Sequence, residues 1–218
     1  MAVLRVGLTG GIACGRSTLS RTLVERGMLV LDADAVAHSL LAGGGAAVEA
    51  VAEAFGPGVR SDDGGISRPD LGKIVFADAA EREKLEKILH PRILSILDAD
   101  AAAFEARHGA GIVVVDAALM VETGSWRRYQ RLVVAHCRRD EQIRRLMARD
   151  GLTRGGAESR LLAQLPLERK TALADYLVDT NGTLDDTRRE TLRLADLLEE
   201  DLRSLPRLAP RTRGGTPC

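Results

Sequence analysis

Residues 5–20 read RVGLTGGIACGRSTLS, and the fold of the chain turns on this stretch. The apolar run before Gly10 has the character of a buried strand, and the segment from Arg16 onward has that of a helix. Between them, Gly10-x-x-x-x-Gly15-Arg16-Ser17 has the spacing of a phosphate-binding loop in the strand–loop–helix context that such a loop requires. Gly10, Gly11 and Gly15 allow backbone N–H groups to turn inward around an anion, and the following helix adds the positive end of its dipole. Ile12, Ala13, Cys14 and Thr18 complete the candidate ATP-binding loop, and Ser17 offers a hydroxyl to Mg²⁺. Helix propensity does not explain these glycines, because each costs about 1 kcal/mol in a helix. A glycine-rich turn without a ligand is the alternative, and the flanking strand and helix weigh against it. Arg16 departs from the motif, which carries lysine here. Arginine keeps the charge and binds phosphate bidentately, but its planar fork is bulkier. Cys14 reads either as a passive small residue or as an oxidisable thiol, since a helix N-terminus lowers thiol pKa.

Outward from the loop, short apolar runs alternate with longer helical patterns. Strands are expected at VLRVGLT (3–9), MLVLD (28–32), GIVVVDA (111–117), RLVVAHC (131–137) and DYLVD (175–179). Most lack polar alternation, as strands buried on both faces of a parallel sheet do. Helical stretches at 16–26, within 33–107, and at 138–149, 153–164 and 184–203 separate them. The chain is therefore expected to be α/β, with a doubly wound parallel five-stranded sheet. The interval from Ala33 to Gly111 is too helical to be a loop. It reads as a helical insertion that either caps the core or binds substrate. An arginine-rich helical hairpin at about 138–170 puts Arg145 and Arg149 one turn apart, beside Ile143, Leu146 and Met147. The tail from 203 to 218 holds four arginines, three prolines and no acid, and is expected to be disordered.

Composition narrows the functional classes. The 218 residues suit one compact domain with insertions, and 45% apolar with 28% charged residues is ordinary for a globular protein. A formal net charge of zero argues against wholesale binding of nucleic acid or an anionic membrane. Cys14, Cys137 and Cys218 lie far apart without a CxxC pair, which argues against a disulfide framework or structural zinc site. No apolar run approaches the ~20 residues of a membrane span. The chain opens directly into a strand and a glycine turn, without a basic region and apolar signal core, so a cytoplasmic protein is expected.

Two carboxylates follow the second strand in LDADAVA (31–37). Asp32 and Asp34 fall at the carboxyl end of that strand, where α/β sheets bind ligands. A carboxylate there accepts the proton of a hydroxyl that attacks the γ-phosphate. Asp34 reads equally as a helix N-cap. An Asp-x-Asp metal site of the kind found in sugar transferases is a poorer fit behind a phosphate loop. Asp116 ends the VVVD run as a candidate magnesium-water contact, with Glu122 nearby.

Taken in order, GLTGGIACGRST, LDADAVA, FGPGV, LGKIVF, LHPRI, VVDAALMVETG, QIRRLMARDGLT and ESRLLAQLPLERKTALADYLVDTNGTLDDTR resemble the dephospho-coenzyme A kinase family over roughly residues 3–200. Each fragment alone is weakly specific; their ordered combination is strong. The resemblance implies a P-loop NTPase fold that phosphorylates the ribose 3′-hydroxyl of dephospho-CoA, with ATP as co-substrate and Mg²⁺ as cofactor. It implies a kinase-like domain over 1–202, with a core of 1–33, 109–137 and 171–202, a substrate insertion at about 34–108 and a lid at about 138–170. By position, Asp34 matches the catalytic base and Asp32 an acidic neighbour in the same site. His90 and Arg92 fall near the acceptor substrate, although His90 before Pro91 also reads as capping a helix junction. Arg145 and Arg149 match lid arginines that close on the phosphates, although a solvated face is the other reading. Asn181 matches a position near adenine. Two departures stand out. The family's loop usually reads Gly-Ser-Gly-Lys-Ser where this chain has Ala13-Cys14-Gly15-Arg16-Ser17, and Ala118 replaces a common proline. A non-catalytic nucleotide or CoA binder and another small-molecule phosphate-loop kinase are the competing readings. The joint presence of Asp34, Ser17 and both arginines argues against the first, and the HPRI and DADAVA contexts argue against the second.

Overall fold

β1 (Val3–Gly10) is buried along its length except for the half-buried Arg5, and it occupies the centre of the sheet. The computed structural model describes residues 3–205, so the expected disorder of the arginine- and proline-rich tail concerns residues almost all outside the described ones. The strand order is β2-β3-β1-β4-β5, with β2 at Leu29–Asp32, β3 at Gly111–Asp116, β4 at Arg131–His136 and β5 at Tyr176–Asp179. β1 pairs in parallel with β3 from Val3↔Gly111 to Leu8↔Asp116, and with β4 from Val6↔Arg131 to Gly10↔Ala135. β4 pairs in parallel with β5. This is the α/β architecture expected from the uninterrupted apolar runs. The register sets Gly10 and Asp116 at the carboxyl ends of adjacent strands, the end where open α/β sheets hold ligands.

The chain forms two units: the described residues of Met1–Leu31 with Phe104–Cys218, and Asp32–Ala103. In the first unit, α1 (Arg16–Glu25) and α9 (Leu184–Arg203) pack against each other. Leu19 and Leu23 of α1 and Leu194 and Leu198 of α9 share a core with Leu4, Val6 and Leu8 of β1. Thr183 and Asp186 form a capping box that starts α9. Between β4 and β5 lie α6 (Arg139–Asp150), α7 (Arg154–Leu162) and the short α8 (Leu167–Thr171). The sequence pattern reads this interval as a two-helix hairpin. The third helix arises because Pro166, which fits a helix start and not a helix interior, caps a new turn. Ile143, Leu146 and Ala157 of α6 and α7 form a small core against which Ile12 and Ala13 of the loop are packed.

The second unit is helical. It contains α2 (Ala33–Leu41), α3 (Val48–Phe55), α4 (Arg68–Ala77) and most of α5 (Ala79–His108). Leu40, Leu41, Val48, Val51, Val59, Leu71 and Leu89 form its core. The helix junction offered as one reading of His90-Pro91 is absent: α5 runs through Pro91 without a break. Proline removes one helical rung, yet the buried Leu89, Leu97 and Ala101 on either side anchor the helix. Arg92 Nη1 donates to the Ile88 carbonyl at 2.6 Å, one turn back.

Leu198 is fully buried and Leu184 is 74% exposed, on the same helix. Leu198→Ala is expected to cost about 2–5 kcal/mol of unfolding free energy in urea, and Leu184→Ala under about 0.5 kcal/mol.

Candidate phosphate-binding site

The loop's backbone conformation is unusual at two places. Gly15 has φ 73° and Ala13, a residue with a Cβ, has φ 59°. Both lie in the left-handed region, which costs a non-glycine residue about 1–2 kcal/mol. Gly10 is required for another reason, because a Cβ there would press into the Ala135 carbonyl of the neighbouring strand.

Contacts from outside the loop hold this shape. The Gly10 carbonyl accepts from Lys170 Nζ at 3.4 Å, and the Ile12 carbonyl from Gln142 Nε2 at 2.8 Å. The Ala13 carbonyl accepts from Arg145 Nη1 at 3.3 Å, and the Cys14 carbonyl from the Thr180 hydroxyl at 3.2 Å. The Gly11 and Gly15 carbonyls accept from the amides of Cys14 and Thr18. Every carbonyl from Gly10 to Gly15 therefore has a donor. A trans peptide points each amide opposite to the preceding carbonyl. The amides of Gly11, Ala13 and Gly15 accordingly point away from Lys170, Gln142 and Thr180, the side chains that hold those carbonyls. With the first turn of α1, they make an anion-binding nest. The Ile12 and Cys14 amides are the exceptions, donating to Gln164 Oε1 at 3.0 Å and to the Gly11 carbonyl at 3.1 Å.

Cations flank the nest. Arg16 forms an ion pair with Asp116 at the end of β3, and the Ser20 hydroxyl donates to the other Asp116 oxygen at 2.8 Å. Lys170 is completely buried. Its ammonium pairs with Glu122 at 2.7 Å and donates to the Ala118 carbonyl at 2.9 Å as well as to Gly10. All three ammonium protons thus have acceptors, as a buried charge demands. Arg145 spans from the Ala13 carbonyl to the Thr180 carbonyl at 2.5 Å and pairs with Glu141 at 2.7 Å. Glu141 is pulled down to about 2, first by its hydrogen bonds from Arg144 and then by Arg145. It is ionised at any physiological pH.

The structure brings Gly10, Gly11, Ile12, Ala13, Cys14, Gly15, Arg16, Ser17, Thr18, Asp116, Arg145, Arg149 and Asn181 into one unit. Arg145 and Arg149 do different things there. Arg145 lies against the loop, whereas Arg149 is exposed and paired with Asp150. The reading of both as one solvated face does not hold for Arg145. Asn181 accepts from the Arg138 amide and donates to Asp179, so it joins the end of β5 to the start of α6. Asp32, Asp34, His90 and Arg92 belong to the other unit. The N-cap of α2 is Asp32, whose carboxylate accepts from the Ala35 amide at 2.9 Å, and Asp34 falls in the first turn. The N-cap reading of Asp34 is corrected by two residues: β2 ends at Asp32 and α2 begins at Ala33, so Asp32 takes the cap and Asp34 is already helical. The sequence pattern does not point to Lys170, Gln142, Gln164 and Thr180. Their partners in the loop lie more than a hundred residues away, and no local pattern marks them. Among the described residues, no group of three or more His, Cys, Asp or Glu side chains could hold a metal ion.

The family model described as "CoaE: Dephospho-CoA kinase" matches residues 4–186. A dephospho-CoA kinase of Geobacter sulfurreducens is 43% identical over 184 residues, spanning 84% of this chain and 93% of that one. A dephospho-CoA kinase of Geobacillus kaustophilus is 41% identical, spanning 87% and 94%. The solved structure of TT1252 from Thermus thermophilus superposes with a TM-score of 0.75 at 29% identity, covering 92% of this chain and 98% of that one.

Lys170→Met leaves Glu122 without its cation and is expected to lower unfolding free energy by roughly 3 kcal/mol in urea. The double variant Lys170→Met/Glu122→Gln is expected to recover part of that loss.

Proposed function

Because the chain belongs to the dephospho-CoA kinase family, we propose that it transfers the γ-phosphoryl group of ATP to the ribose 3′-hydroxyl of dephospho-CoA, giving CoA and ADP. The observation that carries this reading is the phosphate loop with its carbonyls tied outward, within a chain that the family model matches over residues 4–186. The transfer is direct and in-line, without a phosphoenzyme. Asp34 orients the 3′-hydroxyl and takes its proton as the new P–O bond forms. Asp32, His90 and Arg92 hold the acceptor nucleotide. The nest amides and Arg16 take the β- and γ-phosphates. A guanidinium carries five N–H donors in a planar fork, so pairing with Asp116 is compatible with phosphate contact. Arg145 and Arg149 act from the lid helices, and Asn181 lies toward adenine. Closure of the lid excludes water and limits ATP hydrolysis.

The Ser17 hydroxyl and the Asp116 carboxylate are hard oxygen donors at the loop, which suits Mg²⁺ held jointly with phosphate oxygens. When bound, Mg²⁺ offsets phosphate charge. The enzyme acts on small molecules in the cytoplasm, without nucleic acid or membrane partners. Among the described residues, no helix is long and apolar enough to cross a membrane. A non-catalytic nucleotide binder is not favoured. Arg16 keeps the positive charge at the loop, and the curated relatives, matched at high coverage, carry the kinase name.

In a coupled ADP-release assay with dephospho-CoA, ATP and Mg²⁺, the chain is expected to turn over. Asp34→Ala is expected to lower kcat by about 10²–10⁴-fold with ATP affinity little changed. Turnover in Arg16→Lys but not in the unsubstituted chain would overturn the enzymatic reading.

A further inference from the structure

The kinase chemistry leaves two nucleophilic groups beside the loop without a use. Cys14 sits within the loop, Cys137 follows β4, and their sulfurs lie 3.5 Å apart, sharing a hydrogen bond. Both are free thiols and both are buried, at 1% and 5% exposure. We propose that Cys14 and Cys137 form an oxidation site for hydroperoxides, which closes to a disulfide and disables the phosphate loop. The modification itself is independent of the substrate assignment; its consequence rests on the loop binding nucleotide.

The two sulfurs have unequal surroundings. Arg145 Nη1 lies 4.0 Å from the Cys137 sulfur. The hydrogen bond with Cys14 and then the Arg145 charge hold Cys137 below the ordinary thiol range. Cys14 is pushed up by the hydrogen bond with Cys137 and by burial. The roles therefore divide. The Cys137 thiolate attacks one oxygen of the hydroperoxide. An S–O bond forms, the O–O bond breaks, and the departing alkoxide takes the Cys14 proton to leave as an alcohol. The Cys14 thiolate then attacks the Cys137 sulfenic sulfur. The S–S bond forms, the S–O bond breaks, and hydroxide leaves as water after taking a proton from solvent. Two electrons pass from the sulfurs to the peroxide; with hydrogen peroxide the products are two waters.

A disulfide brings the sulfurs to about 2.05 Å, so the two must close by roughly 1.5 Å between them. Cys137 extends a strand buried in the sheet. Cys14 lies between the left-handed Ala13 and Gly15, its amide bound to the Gly11 carbonyl and its carbonyl to Thr180. The movement falls on the loop and breaks the contacts that set its amides. Because both thiols are buried, oxidation requires the loop to open, and a bound nucleotide slows it.

The test uses the Cys218→Ser chain, which removes the third thiol; that residue lies outside the described ones. After hydrogen peroxide and alkylation, the expected product carries no alkyl group and is lighter than the untreated reduced chain by about 2 Da, the two thiol hydrogens. A non-reducing tryptic digest is expected to link Val6–Arg16 to Leu132–Arg138. Calorimetric ADP affinity is expected to fall by about tenfold or more and to return with dithiothreitol, and ADP present during oxidation is expected to slow the loss. Cys137→Ala, or Cys137→Ser should that variant fold poorly, is expected to keep its affinity through peroxide. Recovery of both cysteines alkylated would overturn the proposal. So would a linked pair with unchanged ADP affinity, or an equal loss in the Cys137 variants. The peptide map of the Cys218→Ser chain decides the first point even if neither Cys137 variant folds.

Discussion

A peptide group cannot point its carbonyl and the next amide to the same side, and the phosphate loop is built on that constraint. Six consecutive carbonyls, Gly10 to Gly15, are each engaged by a donor. The amides that follow are directed by consequence. Four of the six donors come from α6, α8 and the residue after β5, the other two being amides of Cys14 and Thr18, so the loop has its full set of contacts only when the parallel sheet has closed around it. Local propensity opposes this conformation at Ala13, and the long-range contacts hold it.

Charge follows the same plan. Two cations that flank the loop are each matched to a carboxylate on or just after β3, Arg16 to Asp116 and Lys170 to Glu122. Burying Lys170 carries a desolvation cost that an ion pair alone does not always repay. Here the ammonium also holds two carbonyls, Ala118 and Gly10, so the same charge joins β1, the segment after β3 and α8. Arg145 does the equivalent on the other flank, bridging Ala13 to Thr180. The departure at Arg16 thus sits in a site whose surrounding charges remain paired.

Much of the fold was legible in the chain because its signals are local. Buried parallel strands are uninterrupted apolar runs, and the five expected strands lie within a residue of the observed ones at either end. The Gly10–Ser17 spacing located the loop for the same reason. Signals failed where the deciding contact is distant or the local rule is weak. Pro91 marked a junction that the helix does not make, since packing on both sides outweighs one lost rung. Pro166 opened a helix too short for periodicity to reveal. Asp32 and Asp34 are both adequate caps by composition, and only the length of β2 chooses between them. Lys170, Gln142, Gln164 and Thr180 reach the loop from the far half of the chain, and the closeness of Cys14 and Cys137 is equally invisible along the sequence.

Phosphate binding at this loop depends on the direction of its amides. The sharpest measurement is a titration of the ¹⁵N-labelled chain with ADP, followed by amide resonances. The amides of Gly11, Ala13, Gly15 and Arg16 are expected to move downfield together as the diphosphate binds. Saturable ADP binding that leaves those four resonances in place would contradict it.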